Sequence, residues 1–199
     1  MRVALTGGIA TGKSVVARAL RAAGIATVDA DVLARDAVAP GSDGLVAVTA
    51  RFGGGIVRAD GSLDRAALGA QVFADPEARR DLEHIVHPRV RRGIDAFFST
   101  LSPGAPGLAE IPLAYETGWA STFDLVVVVA CRPDTQRARL MARDGFTAAD
   151  ADRRLAAQWP IADKVRLADA VVVTDGDMAS TLTQAARLAV WLRDRCRPS

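Results

Sequence analysis

The chain has 199 residues, 50% hydrophobic and 24% charged, which is enough apolar material for one well-buried core with small appended lobes. A formal net charge of +2 argues against a general nucleic-acid surface, while a pI near 8.8 suits an anionic ligand. Two cysteines far apart in sequence, Cys131 and Cys196, argue against a disulfide framework and for a reducing compartment.

Residues 1–6 are apolar and run into glycines, as a buried strand does. Residues 13–23 carry apolar side chains at Val15, Val16, Ala19, Leu20 and Ala23, a helical period, with Gly24 where a C-terminal cap belongs. The segment IATVDAD is a second strand ending in acid, and residues 31–38 read as a helix that stops at Pro40-Gly41. Between Gly53 and Gly61 lies a glycine-rich loop without pattern. From residue 63 to 101 the pattern is helical, broken at Pro76 and Pro88, both placed to suit first helical turns. SPGAPG is a surface loop leading into LAEIPL, a short third strand.

FDLVVVVAC is β-branched and almost wholly apolar, as expected of a central strand covered on both faces. It is far too short to span a membrane. The N-terminus reads directly as a strand, with no leader, so a soluble cytoplasmic protein is expected, without membrane or nucleic-acid partners. Pro133 starts a helix that runs to residue 144, and Thr147 caps another that reaches residue 159. ADAVVVTDG supplies a fifth strand, and Asp177 caps a closing helix over residues 178–195. Strands alternating with helices imply an α/β fold, a parallel sheet with right-handed crossovers. The long helical insertion after the second strand marks the place for a second lobe.

The stretch GGIATGKS places Gly7, four residues, then Gly12-Lys13-Ser14, the pattern G-x-x-x-x-G-K-[ST] between a strand and a helix. Such a loop wraps its backbone around a phosphate, so that successive amide hydrogens and the helix N-terminus face the oxygens. In that arrangement Lys13 neutralises the β- and γ-phosphates and the Ser14 hydroxyl sits on Mg²⁺. Lysine usage supports it: the chain uses arginine nearly everywhere and has only Lys13 and Lys164.

A phosphate loop can serve a GTPase switch, an ATPase motor or a small-molecule kinase. The chain contains no asparagine, so the guanine-reading Asn-Lys-x-Asp motif is absent. LVVVVAC ends in Cys131 rather than the acid expected of a motor's second metal motif, and Asp175 lies too near the C-terminus to partner Ser14. A compact kinase remains, and three features favour it. Asp29 and Asp31 end the second strand, where ligands of parallel sheets bind; Asp31 could accept a proton from an acceptor hydroxyl while Asp29 serves structure. Arg137, Arg139 and Arg143 share one helix, the last two on one face, where they could close over a transferring phosphoryl group. His87 precedes Pro88 at an expected helix start.

With these pieces in place the sequence resembles the dephospho-coenzyme A kinases. The matching segments, in order, are LTGGIATGKS, GIATVDADVLAR, RFGGGIVRADGSLDRAAL, VFADPEARRDLEHIVHP, IPLAYE, PDTQRARLMARDG, AAQWP and LADAVVVTDG. The loop motif is common to many kinases, whereas D-A-D, F-G…D-G-x-L-D-R, H-P and P-L-x-x-E together are far more specific. The resemblance implies transfer of the ATP γ-phosphoryl group to the ribose 3′-hydroxyl of dephospho-CoA, with Mg²⁺ as helper and no obligate protein partner. It implies a three-layer α/β/α kinase with a core over residues 1–30, 102–132 and 165–199, a helical substrate lobe over 31–101 and a lid over 133–164. By the same resemblance Gly8, Ile9, Ala10, Thr11, Gly12, Lys13, Ser14 and Val15 hold the ATP phosphates. Asp31 becomes the base, Arg139 and Arg143 the lid arginines, and His87, Leu113 and Glu116 border the acceptor. Two departures stand out. Ala10 replaces a common glycine, which requires a negative φ there to be free of strain. Thr174-Asp175-Gly176 lacks the asparagine common before that glycine, leaving Thr174 or backbone groups to hold adenine.

Overall fold

The structure, a computed structural model, describes residues 1–196. Its frame is a five-stranded parallel sheet: β1 (Arg2–Gly7), β2 (Ala26–Asp29), β3 (Gly107–Glu110), β4 (Leu125–Ala130) and β5 (Ala170–Val173), in the order β2-β3-β1-β4-β5. β1 is central: Leu5 stands beside Glu110 of β3 on one side and Val127 of β4 on the other. The two chain directions away from β1 diverge there, which opens a crevice beyond its carboxyl end.

The helices in chain order are α1 (Lys13–Ala22), α2 (Ala30–Asp36), α3 (Asp43–Phe52), α4 (Arg65–Ala74), α5 (Pro76–Ser99), α6 (Pro133–Asp144), α7 (Ala148–Ala156), α8 (Ile161–Arg166) and α9 (Met178–Arg195). The apolar run of β4 is explained by its two coverings. Val127 and Val129, with Val3 and Leu5 of β1, pack under α1 and α9 through Val16, Leu20, Leu188 and Leu192. Val126 and Val128, with Ala4, pack under Ile161 and Val165 of α8 and under Phe123. Alternate residues of one strand therefore feed opposite layers, and neither face can be polar.

The chain forms two compact units, residues 1–28 with 101–199 around the sheet, and residues 29–100. The second unit is helical and has its own core of Leu45, Val48, Phe52, Ile56, Leu63 and Leu68. Two local expectations fail, and one segment to which the sequence assigned no element holds a helix. Pro88 lies inside α5 rather than at a helix start, so His87 is a mid-helix residue. The ring removes one backbone donor from that turn, where the Arg89 guanidinium donates to the Ile85 carbonyl at 2.6 Å. Residues 42–52 hold a full helix, α3, capped by Ser42 Oγ accepting from Leu45 N–H at 3.1 Å. The helix after Thr147 ends at Ala156, and Pro160 introduces a separate α8.

Candidate active site

The loop between β1 and α1 is left-handed at two residues, Ala10 (φ 59°) and Gly12 (φ 87°). Positive φ beside ordinary backbone turns successive N–H groups toward one point, which is the concavity that binds anions. Ala10 does not have the negative φ that its side chain prefers; among the described residues it is the one non-glycine with positive φ. Gly12 closes the loop as the N-cap of α1, so Lys13 and Ser14 occupy the first turn, where N–H groups have no intrahelical acceptor. The loop is braced internally by Thr11, whose Oγ1 donates to the Gly8 carbonyl at 2.8 Å.

Lys13 lies at the start of α1 with its ammonium 3.3 Å from Glu110 Oε2, and Arg21 reaches the other oxygen of the same carboxylate at 3.3 Å. Glu110 is 5% exposed at the carboxyl end of β3. It holds both cations beside the carboxyl end of β3 and is a candidate site residue that the sequence reading passed over. The available signal was an acid ending an otherwise apolar strand.

Two glutamines hold the loop from outside. Ile9 N–H donates to Gln158 Oε1 at 2.8 Å, and the Ile9 carbonyl accepts from Gln136 Nε2 at 2.6 Å. Gln136 is buried on α6 and lies so close to Gly8 that a Cβ there would meet its Nε2 at 2.4 Å. Gln158 follows α7, next to Trp159. The Trp159 N–H donates to Glu116 Oε1 at 3.1 Å, and its ring stacks on Tyr115 with centroids 6.2 Å apart. Glu116 is also 2.6 Å from the ammonium of Lys164, which is fully buried. That contact is ionic rather than an aligned hydrogen bond. Within the sheet unit Glu116 is thus committed to Lys164 and Trp159, and the Leu113 carbonyl accepts from Thr117 N–H and Oγ1 at 3.0 and 2.8 Å.

Arg139 and Arg143 occupy one face of α6 but have different partners. Arg139 donates to Thr174 Oγ1 at 3.0 Å and to the Thr174 carbonyl at 2.6 Å, and Thr174 in turn donates to the Thr11 carbonyl of the loop at 2.7 Å. Gly12, Val15, Arg139, Thr174, Gly176, Met178 and Thr181 enclose a cavity of about 270 Å³ beside the loop. Asp175 accepts from Arg132 N–H at 3.0 Å and from Thr135 Oγ1 at 2.7 Å; these bonds hold its carboxyl below the usual carboxylate range. It is a cap for α6. Arg143 makes a two-pronged pair with its neighbour Asp144, both contacts 2.8 Å, and Arg137 pairs with Asp152.

In the helical unit Asp29 is the N-cap of α2, its Oδ1 accepting from Asp31 N–H at 2.8 Å. That cap leaves the Asp31 carboxylate exposed on the first turn. His87 is half-buried on α5, and burial foremost, with the nearby charges of Arg91 and His84, pushes its pKa down against the pull of Glu83. Among the described residues no group of three or more His, Cys, Asp or Glu side chains could cage a metal. The exposed hydroxyl of Ser14 fits instead an ion such as Mg²⁺, which takes most of its ligands from nucleotide phosphates and water.

Comparison with known proteins now adds to this geometry. The family model described as dephospho-CoA kinase matches residues 1–180. A dephospho-CoA kinase of Anaeromyxobacter dehalogenans is 50% identical over 193 residues, covering 96% of this chain and 92% of the relative. One from Geobacillus kaustophilus is 44% identical, covering 96% of both chains. Among solved structures, a protein from Thermus thermophilus superposes with a TM-score of 0.82 at 33% identity over 96% of each chain. A dephospho-CoA kinase from Campylobacter jejuni superposes at 0.76 with 24% identity over 98% of each chain, and a shikimate kinase from Acinetobacter baumannii at 0.52 with 15% identity, which speaks for the fold alone. The sheet order, the phosphate loop and these matches along nearly the whole sequence agree: the chain belongs to the dephospho-CoA kinase family.

Proposed function

We propose that this protein transfers the γ-phosphoryl group of ATP to the ribose 3′-hydroxyl of dephospho-CoA, giving CoA and ADP, the last step of coenzyme A biosynthesis. The observation that carries this reading is the left-handed pair Ala10 and Gly12, which shapes an anion-binding loop at the N-terminus of α1. Residues 8–15 hold the phosphates, Lys13 neutralises the β- and γ-oxygens, and Ser14 holds Mg²⁺ when it is bound. The ion then adds positive charge against the phosphate oxygens. The cavity floored by Gly12 and Val15 takes the nucleoside, with Arg139 and Thr174 on its wall in place of an asparagine.

Phosphoryl transfer needs positioning and charge more than covalent chemistry. Lys13 and the loop amides supply charge on the donor side. Asp31 orients the acceptor hydroxyl and takes its proton, with His87 and Leu113 among the acceptor's neighbours. Arg139 and Arg143 belong to the closing segment, residues 133–164. Arg143 can serve the phosphates only by exchanging Asp144 for them. Among the described residues no helix is long and apolar enough to cross a membrane. The partners in this reading are the two small substrates, and the compartment is the cytoplasm.

The test is an acceptor panel with ATP and Mg²⁺. Dephospho-CoA should be phosphorylated with a kcat/KM far above those for nucleoside monophosphates and shikimate. Asp31→Ala should lower kcat at least about a hundredfold, the scale of a lost general base, with ATP affinity within twofold. ATP binding without phosphorylation of any acceptor would leave a nucleotide-binding module and refute the kinase reading.

A further inference from the structure

Gln136 and Gln158 come from separate parts of the chain, 127 and 149 residues from Ile9, yet they meet on the two sides of that one residue. The Ile9 N–H belongs to the peptide before its Cα and the Ile9 carbonyl to the peptide after it. Fixing both peptides fixes φ and ψ of Ile9, and so the direction from which the chain enters the strained residue Ala10. Neither glutamine has a side-chain charge to offer a phosphate. Gln136 is buried against Gly8, where a Cβ would collide with it, so its place depends on the glycine that follows Gly7. Gln158 is placed by Trp159, which is held through its N–H and its ring by Glu116 and Tyr115, and Glu116 is held by the buried Lys164.

From this geometry we infer that Gln136 and Gln158 are positioning residues that clasp Ile9 and preset the phosphate loop, and that Glu116 acts on the loop through Gln158. The inference rests on the reading of the loop as an ATP site. Glu116 thus has an ATP-side role that a place at the acceptor would not require. A preformed loop binds tighter because the ordering cost of the strained turn is met before the nucleotide arrives.

The test uses the full-length protein and replaces each glutamine by methionine, which keeps length and bulk but loses the amide donor and acceptor. Gln158→Met and Gln136→Met should each weaken ATP binding by calorimetry about fivefold, the factor expected for one net hydrogen bond. KM for dephospho-CoA should stay within twofold. Glu116→Gln should weaken ATP binding in the wild-type background and have no further effect on it in the Gln158→Met background. ATP binding at wild-type strength or tighter in both methionine variants would overturn the clasp, since a freed Ile9 N–H would then be serving the phosphate. A Glu116→Gln defect confined to dephospho-CoA would overturn its indirect role. Should thermal melting show one methionine variant unfolded, the other and Gln158→Ala give the same reading. If the wild-type protein binds no ATP, it is the phosphate-loop reading that fails, and the variants are not its cause.

Discussion

Replacing Ala10 by glycine should make the protein more stable, and the sign of that effect is the test. At φ 59° the Ala10 methyl crowds the backbone, a conformation that costs an L-residue about 1–2 kcal/mol. Glycine escapes that cost but gains freedom in the unfolded chain, which returns about 0.4–1 kcal/mol. With the middle of both ranges, the net expectation for Ala10→Gly is a stabilisation of about 0.8 kcal/mol. For a chain of 199 residues the unfolding entropy is about 0.4 kcal/mol per kelvin, so the melting temperature should rise by about 1–3 °C. Differential scanning calorimetry of both proteins without nucleotide measures this directly. A negative φ at Ala10 gives the opposite sign, because glycine would then only add unfolded-state freedom, and the melting temperature would fall by a similar amount. A fall, or no change, refutes the left-handed loop and the anion-binding geometry built on it.

The buried pair should respond unequally to loss of its two members. Glu116→Ala leaves the Lys164 ammonium enclosed without a counter-charge and should cost about 3–5 kcal/mol in urea unfolding, whereas Lys164→Met removes the buried charge itself and should cost markedly less. Equal costs would mean that the ammonium is hydrated. The two cysteines should differ toward iodoacetamide: burial pushes the Cys131 thiol up, so only the half-exposed Cys196 should be alkylated in native protein at pH 7.5, and Cys196→Ser should leave mass spectra unmodified. His87 has its pKa held below the ordinary value of 6.5, so the unfolded chain takes up this proton first and stability is lost as pH falls below about 6.5. His87→Gln should therefore show a smaller drop in melting temperature between pH 7.5 and 5.5 than the parent; an equal drop would place the imidazole in water.

The parts of the fold that were legible in the sequence are those in which neighbouring residues decide the outcome. The all-apolar run around Val127 announced a strand covered on both faces, and Pro133, Thr147 and Asp177 marked helix starts that the structure repeats. Gly7, Gly12 and Lys13 announced the phosphate loop because a tight turn before a helix is itself a local event. Pro88 misled because a proline at a helix start and one inside a long helix look alike until the donors that serve the broken turn are known. Residues 42–52 carry a weaker apolar period beside glycine-rich stretches, and α3 is fixed by its packing in the core of the helical unit. Glu110, Gln136 and Gln158 could not be read as a set, since each gains its meaning from a partner about a hundred or more residues away. Ala10 could not be judged either: its strain is imposed by the loop, not by alanine.

The position of β1 in the sheet has a consequence for the order in which the protein can be made. Both of its neighbours, β3 and β4, begin after residue 106, so β1 is translated well before either of them and has no neighbour to pair with until they follow. Residues 29–100 make their own core and need no such wait. During synthesis the helical unit can fold first, while Val3 and Leu5 remain uncovered and available to chaperones or to wrong partners. The loop after β1 is thus translated before the strands that flank it and takes its shape only after them.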